Sequence, residues 1–566
     1  MARANEAAAE ALREYADLFA LEGGDPFRVR SYQRAAKAIA GHPEDLRPGH
    51  ARDVPGVGSA IAAKVEEFLG RGGFRQLDEL RAKVPPGVRR LMAVPSLGPK
   101  TALFLYRELG IDSVESLAQA IDGGRLRGVR GMGPKTVENL RRGIERQRQA
   151  GERVHLGVAC ALADQVVESL PGAERVAVAG SVRRMCETVG DIDVLVAGPA
   201  ELMSVFTAQP YVAEVLASGD DKTSVRTEQG LQVDLRRVPV GSWGSALLYF
   251  TGSADHNVRL RELAVRKGWK LSEYGLSDGD RVLASRTEEE VYAALGMQWV
   301  PPPLREDRGE VEAALRHELP VLVEQADLRG DLHTHTDLTD GIASLEDMAA
   351  AAAARGLAYY AVTDHAPDLA MQRMTLEKAL AQRESLARLQ ERYPGMRLLH
   401  GTELNIGPDG SVDWPLEVLE GFDVRVASVH SHFTQSRAEM TRRLIAACEN
   451  PGVQIIGHPT TRKIGRRPMV DADWTAVFQA AARTGTVLEI DSYPDRADLP
   501  SDLVRLARHQ GARFSIDSDA HAVPHLAHTR FGVGVAQRAG LTREDVVNTW
   551  PLERLLAFLK GSADGR

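Results

Sequence analysis

At 566 residues the chain is too long for one hydrophobic core, so three or four domains are expected. Its 43% hydrophobic and 26% charged content is that of an ordinary globular protein, and no apolar run approaches the ~18 residues that span a bilayer. The net charge of −8 divides unevenly: residues 1–150 hold 25 Lys+Arg against 19 Asp+Glu, or +6, which leaves −14 for the rest. A basic front suits phosphate backbones, and acidic clusters further on suit metals.

Residues 1–150 read as all helical, with Ala, Leu, Arg and Glu at helical spacing between short Gly/Pro turns. The opening stretch, MARANEAAAEALREYADLFALEGG, reads as an acidic amphipathic helix. It lacks the basic start and solid apolar run of a secretory signal, so a cytoplasmic protein is expected. Three well-separated cysteines, Cys160, Cys186 and Cys448, fit a reducing compartment and exclude a Cys-based zinc site.

One pattern appears three times in this region: Pro55-Gly56-Val57-Gly58 before SAIAAKVEEFL, Pro95-Ser96-Leu97-Gly98 before PKTALFLYREL, and Arg130-Gly131-Met132-Gly133 before PKTVENLRRGI. Each is a glycine hairpin opening an amphipathic helix. Backbone N–H groups at such a turn, with the helix dipole, hold a phosphate oxygen without reading a base. Gly56, Gly58, Gly98, Gly131 and Gly133 are therefore candidate DNA-backbone contacts, and Lys100 and Lys135 follow two of the hairpins with added charge. A single copy would be an ordinary glycine turn; a repeat favours DNA.

The hairpins resemble helix-hairpin-helix motifs. The run PFRVRSYQRAAKAI before the first hairpin also resembles the small N-terminal domain of family X DNA polymerases. In some members a lysine there forms a Schiff base to remove a 5′ deoxyribose phosphate. That resemblance makes Lys64 a candidate nucleophile, with Arg28 and Arg34 near the 5′ phosphate. Ala60 stands where lyase-active relatives often carry a lysine.

From about residue 155 the pattern becomes strand-like. RVAVAG, DIDVLVA and LQVDLRRVPV alternate with helices, so a sheet carrying helices is expected. Asp191 and Asp193 alternate along one strand and share a face; Asp234 in the next strand completes a carboxylate set. Such hard oxygen ligands suit Mg²⁺ or Mn²⁺, and two ions there could activate a 3′ hydroxyl and stabilise leaving pyrophosphate. Gly180-Ser181 turns from strand to helix, where backbone N–H groups and the Ser181 hydroxyl would hold a triphosphate, with Arg184 and Arg183 adding charge.

The combination of Gly-Ser, Asp-x-Asp and a later strand aspartate resembles the nucleotidyltransferase superfamily. The block YFTGSADHNVRL narrows the resemblance to family X polymerases. It implies that Tyr249, Phe250 and Gly252 lie against the incoming sugar, that Asn257 faces the base, and that Arg261 contacts the template strand. Ala254 occupies a position that is acidic in some relatives.

From about 331, strands ending in polar residues alternate with helices, the layout of a β/α barrel with its site at the strands' C-terminal ends. The candidate ligands are His333, His335, Asp340, His365, Glu403, His430, His458, Asp519 and His521. Six of the chain's 16 histidines fall at these strand ends, which argues against scattered core residues. The donor mix suits two or three Mn²⁺ or Zn²⁺ ions. Arg462, Arg466 and Arg467 are further candidates for holding phosphate.

This region resembles the polymerase and histidinol phosphatase (PHP) domain. In that family His333, His335, Glu403 and Asp519 would hold one metal, Glu403 would bridge to a second with His430 and His458, and Asp340, His365 and His521 would hold a third. Asp491-Ser492 departs from the Asn-Ala common in relatives.

Together the readings imply a multidomain protein: an all-α helix-hairpin-helix region, an α+β nucleotidyltransferase palm with a thumb-like subdomain, and a C-terminal β/α (PHP) barrel. The expected divisions are 1–80 lyase-like, 81–150 helix-hairpin-helix, 151–240 palm, 241–300 nascent-base-pair-binding, 301–330 linker and 331–566 PHP. The resemblance implies a gap-filling repair polymerase on gapped or nicked DNA and dNTPs, with a 3′→5′ exonuclease and AP endonuclease activity; a monomer away from membranes is expected. A polymerase with a structural PHP domain and a non-catalytic DNA-end scaffold remain open at this stage.

Overall fold

A computed structural model of the protein describes residues 4–21, 24–40, 46, 49–54, 57–71, 73–83, 91, 97, 99–126, 129, 132–133, 137, 140–141, 144, 153–228, 230–367, 374–464 and 467–561. The chain divides into two compact units, Met1–Arg153 and Val154–Arg566. Among the described residues no helix is long and apolar enough to cross a membrane.

The first unit is helical. It contains α1 (Ala4–Leu21), α2 (Pro26–Ala40), α3 (Ser59–Arg71), α4 (Arg75–Lys83), α5 (Pro99–Leu109) and α6 (Val114–Asp122). Their apolar faces share one core that includes Leu12, Tyr15, Tyr32, Val65, Phe74 and Leu105. Tyr15 lies edge-on to Tyr32 at 4.8 Å and to Phe74 at 5.4 Å, a favourable aromatic geometry. At the first hairpin the Gly58 carbonyl accepts from Ile61 and Ala62, so the glycine begins α3 directly. Gly133 does the same for Val137. Gly56, Gly98, Gly131, Lys135 and the side chain of Lys100 lie outside the described residues.

The second unit begins with a five-stranded mixed sheet. Its strands are β1 (Arg175–Val178), β2 (Asp191–Ala197), β3 (Val212–Ala217), β4 (Lys222–Thr227) and β5 (Gln232–Arg237), in spatial order β1-β2-β5-β4-β3. Period-two alternation sorts β2: Ile192, Val194 and Val196 join the core under helix Leu156–Glu168, whereas Leu195 and Ala197 pack towards Trp243 and Ala246. Asp191 and Asp193 share the parity of Leu195 and Ala197. Only β2 and β5 pair in parallel at the sheet's centre, and that register sets Asp193 directly opposite Asp234.

Helices Trp243–Thr251 and Ala254–Arg266, the antiparallel strands β6 (Lys270–Ser272), β7 (Gly275–Asp278) and β8 (Arg281–Ala284), and helix Glu288–Leu295 build a small subdomain. The segment expected to be a linker divides here. Val300, Val311 and Ala314 pack into this subdomain's core, and fully buried Arg305 donates to both oxygens of Glu288 (2.7 and 3.0 Å). A guanidinium can be buried this way only because a carboxylate and the Val300 carbonyl satisfy it.

Seven parallel strands follow in sequence order: β9 (Gly330–Asp331), β10 (Tyr359–Val362), β11 (Arg397–Asn405), β12 (Val424–Ser428), β13 (Ile455–Ile456), β14 (Val487–Asp491) and β15 (Phe514–Asp517). A parallel bridge between Thr334 and Ala520 brings the first and last strands together, so the barrel is nearly closed. The opposite end is filled by helix Leu552–Leu559 and Trp550, which pack among Leu332, Leu399, Val426 and Val487. The ends that carry polar residues are left to form a site, as this architecture dictates.

The palm packs on the barrel. Phe531 of the barrel lies in the palm core, and Arg462 donates to Glu187 at 2.5 Å. Arg462 is buried, with further bonds to the Arg496 and Ala497 carbonyls, so it joins domains; it is not placed to hold phosphate. Arg467 donates to the Thr461 carbonyl and stacks over Phe433, and Arg466 lies outside the described residues.

Candidate functional site

Two sites are formed in the second unit. In the palm, burial and the neighbouring Asp191 and Asp234 carboxylates push the Asp193 carboxyl up to about 7. Asp234 goes the other way. Its burial is outweighed by hydrogen bonds from Lys222 (2.8 Å), Gln232 (2.8 Å) and Ser224, which lower it. Three carboxylates at one sheet centre, one of them held against ionisation by its neighbours, are a donor set that a divalent cation would satisfy.

The turn after β1 meets these carboxylates closely. Gly180 adopts φ +59, and a Cβ there would lie 2.5 Å from Asp193 Oδ2, so glycine is required twice over. The Ala179 N–H donates to the Asp193 carbonyl, tying the turn to β2. Ser181 remains partly exposed. Arg183 is bound bidentately by Glu288 (2.8 and 2.9 Å) and donates to Thr251 Oγ1 at 2.6 Å. Arg184 donates to the Thr251 carbonyl and to Glu306. Both arginines thus strap the turn to the Tyr249–Gly252 segment.

Tyr249 and Phe250 are partly exposed and meet edge-on at 5.0 Å, with Arg236 over the Phe250 ring at 4.3 Å. Gly252 adopts φ +71 beside Arg184. Asn257 is buried, donates to the Tyr249 carbonyl at 2.7 Å, and has an Oδ1 without a hydrogen-bond partner. Arg261 is exposed on the same helix. In the first unit, Lys64 lies over the rings of Tyr15 and Tyr32 at 5.7 and 5.6 Å.

The barrel brings all nine of its candidate ligands together. Among the described residues, groups of three or more such atoms lying within 4.8 Å of one another occur only here: His335, Asp340, His365 and His521; His333, His335 and Asp519; His365, Glu403 and His430. Glu403 is central. Its two oxygens approach His365 (2.9 Å), His458 (3.1 Å), His430 (3.2 Å), His333 (3.4 Å) and His335 (3.5 Å). The Nε2 atoms of His333 and His335 point at one spot, 3.2 Å apart. His335 Nδ1, His458 Nδ1 and Asp340 Oδ1 are buried without hydrogen bonds. Converging imidazoles with orphaned nitrogens are costly unless a cation joins them, so these residues fit bound metals.

Sequence reasoning missed what orients these ligands. Glu489 Oε1 lies 2.7 Å from His333 Nδ1, and its other oxygen accepts the His458 N–H at 2.5 Å. Asn405 Oδ1 lies 2.7 Å from His430 Nδ1. Such carboxylate and amide partners fix an imidazole's tautomer and direction. Glu489 alternates inward within the apolar strand VLEID, and a buried glutamate there was the available signal.

Four family models match the chain: a helix-hairpin-helix domain over residues 3–74, a SAM-like helix-hairpin-helix tandem over 88–146, the DNA polymerase beta thumb over 246–306, and the PHP domain over 331–492. The DNA polymerase/3′-5′ exonuclease PolX of Bacillus subtilis (strain 168) is 33% identical over 551 residues, covering 95% of this chain and 96% of that protein. The chain belongs to the family X DNA polymerases, in their PolX form. Helix-hairpin-helix and thumb regions here share one chain with a nearly closed parallel PHP barrel. The two catalytic halves have separate kin. DNA polymerase lambda of Rattus norvegicus is 29% identical over 321 residues, 50% of this chain and 53% of that one. A "Probable phosphatase" of Syntrophotalea carbinolica is 34% identical over 240 residues, 40% of this chain and 95% of that one.

Proposed function

We propose that this PolX homologue fills short gaps in DNA during repair and trims 3′ ends in its PHP barrel, with AP endonuclease activity at the same metal cluster. The observation that carries the nuclease is graded exposure. His333 and His335 are fully buried, whereas Asp340, His521 and His430 keep 32%, 26% and 18% of their side-chain surface. A cluster serving structure alone would be closed; this one is open on one side to a phosphodiester. That favours catalysis over a structural PHP domain.

In the palm, Asp191, Asp193 and Asp234 would hold Mn²⁺ or Mg²⁺, which supplies Lewis acidity to the 3′ hydroxyl and the leaving pyrophosphate. Gly180 and Ser181 present the triphosphate turn, Arg184 adds charge, and Tyr249, Phe250 and Gly252 wall the sugar against a 2′ hydroxyl. Asn257 faces the base and Arg261 the template. The glycine hairpins with Lys100 and Lys135 grip duplex backbone, and Lys64 is the candidate for 5′ deoxyribose phosphate removal.

In the barrel, His333, His335, Glu403 and Asp519 would hold one ion, Glu403 with His430 and His458 a second, and Asp340, His365 and His521 a third. Mn²⁺ or Zn²⁺ suits these donors and supplies the activated water for phosphoester hydrolysis. The test is a 5′-labelled primer in a single-nucleotide-gapped duplex with Mn²⁺, with and without dNTPs. Lengthening lost only in Asp193→Ala, and shortening lost only in Asp519→Ala, is the expected result. No change in length for the unaltered chain would sink the reading and leave a DNA-end scaffold.

A further inference from the structure

The triphosphate turn is supported from outside the polymerase half. Arg184 donates through Nη1 to the Thr251 carbonyl (2.6 Å) and through Nε to Glu306 Oε1 (3.1 Å). The same Glu306 oxygen accepts from Arg538 (2.8 Å), the last residue of barrel helix Thr529–Arg538. Arg538 also donates to the main-chain carbonyl of Arg184 at 2.8 Å. All three side chains are mostly buried. The backbone of that helix also touches the turn: a Cβ at Gly534 would lie 2.5 Å from Met185 Cε, and Met185 adopts φ +56.

Burial alone would raise Glu306, but the Arg538 and Arg184 guanidiniums outweigh it and hold the group ionised. Two guanidiniums around one carboxylate leave one positive charge over. A lone Glu306–Arg184 pair would leave none, and in a poorly solvated junction that difference acts strongly on a nearby polyanion.

We propose that Arg538, a residue of the PHP barrel, is a positioning residue for nucleotide binding by the polymerase: it shares Glu306 and bonds the Arg184 carbonyl, so the Arg184 charge stays uncancelled and the turn stays in place. This rests on reading residues 180–184 as the triphosphate turn. The barrel is then part of the polymerase's nucleotide site through a contact separate from its own metal ligands.

The test is single-nucleotide insertion into a gapped duplex by the full-length chain, with kcat and the KM for dNTP measured separately and dNTP-free 3′→5′ shortening measured alongside. Arg538→Met should raise the dNTP KM about ten-fold, the size of one charge-assisted contact, with kcat and shortening within about two-fold. Arg538→Lys should recover part of the loss. Adding Glu306→Gln to Arg538→Met should return KM most of the way, because the carboxylate that cancels Arg184 is gone. An unchanged KM in Arg538→Met, or a rise that neither Lys nor the double variant relieves, overturns the proposal. Should Arg538→Met fold poorly, Arg538→Lys and the double variant carry the same decision. Arg184→Met separates the two levels: an unchanged KM there refutes the triphosphate reading itself, whereas a raised KM there with none in Arg538→Met refutes only the role of Arg538.

Discussion

The palm and the barrel gather metal-ligand side chains in opposite ways. The palm offers three carboxylates on a sheet, one raised to about 7 by burial and its neighbours and another bonded to Lys222. The barrel offers nine ligands, five of them imidazoles around Glu403, with Glu489 and Asn405 fixing the direction of two imidazoles. A sparse, mutually repelling set is suited to taking up its cations together with the nucleotide; a dense and buttressed one is suited to keeping them.

The comparison breaks most readily at its centre. Asp193→Ala should cut primer extension about a thousand-fold while 3′→5′ shortening persists, and Asp519→Ala should do the reverse. Activity of both kinds falling together in either variant would mean that the sites are not independent. Metal analysis after exhaustive dialysis sharpens the same point. The unaltered chain and Asp193→Ala should retain equal metal, whereas Glu403→Ala should lose most of it, because that one carboxylate approaches five imidazoles. A large loss in Asp193→Ala would refute the contrast.

The wall beside the palm gives a pH test. Glu288 is buried, and although burial raises it, Arg305 and Arg183 lower it from 4.5 to about 2. A depressed carboxyl stabilises the fold above its unfolded value and loses that contribution as pH falls from about 4.5 towards 2, here roughly 3 kcal/mol. Thermal unfolding followed from pH 6 to pH 3 should show a fall that Glu288→Gln largely removes, from a lower starting stability. A variant with the same acid slope as the unaltered chain would mean that other groups set it. Last, Glu489→Gln should weaken metal retention about ten-fold, the lower end of what such orienting groups contribute. Full retention under chelator competition would make Glu489 a packing residue.

Much of this was legible in the chain because the chemistry sits at regular places. Every barrel strand but β14 carries a ligand at or near its end, so HTH, TDH, GTE, SVHSH, GHP and DSDAH mark the site before any fold is known. Asp-x-Asp alternation alone fixes a shared face. What stayed hidden depends on register and on distant partners. Lys222 reaches Asp234 because β4 and β5 pair with Ser224 opposite Asp234, which no spacing reveals. The left-handed backbone at Asp519 (φ 49) and His458 (φ 26) aims two ligands without a glycine to announce it. Arg462 stood among the candidates for holding phosphate and is a buried strut. Residues 301–315 fell within the expected linker because the carboxylate that neutralises Arg305 lies on an earlier helix.

The near-closure of the barrel carries one more consequence. Its metal site joins His333 and His335, at the first strand, to Asp519 and His521, beyond the last, across the bridge from Thr334 to Ala520. During synthesis the palm's carboxylates emerge long before that bridge can form. A ribosome therefore releases the palm's three carboxylates well ahead of a complete barrel ligand set, whereas Arg538, which braces the turn at Arg184, emerges only after Asp519, so a chain halted before Asp519 lacks both the last barrel ligands and that brace.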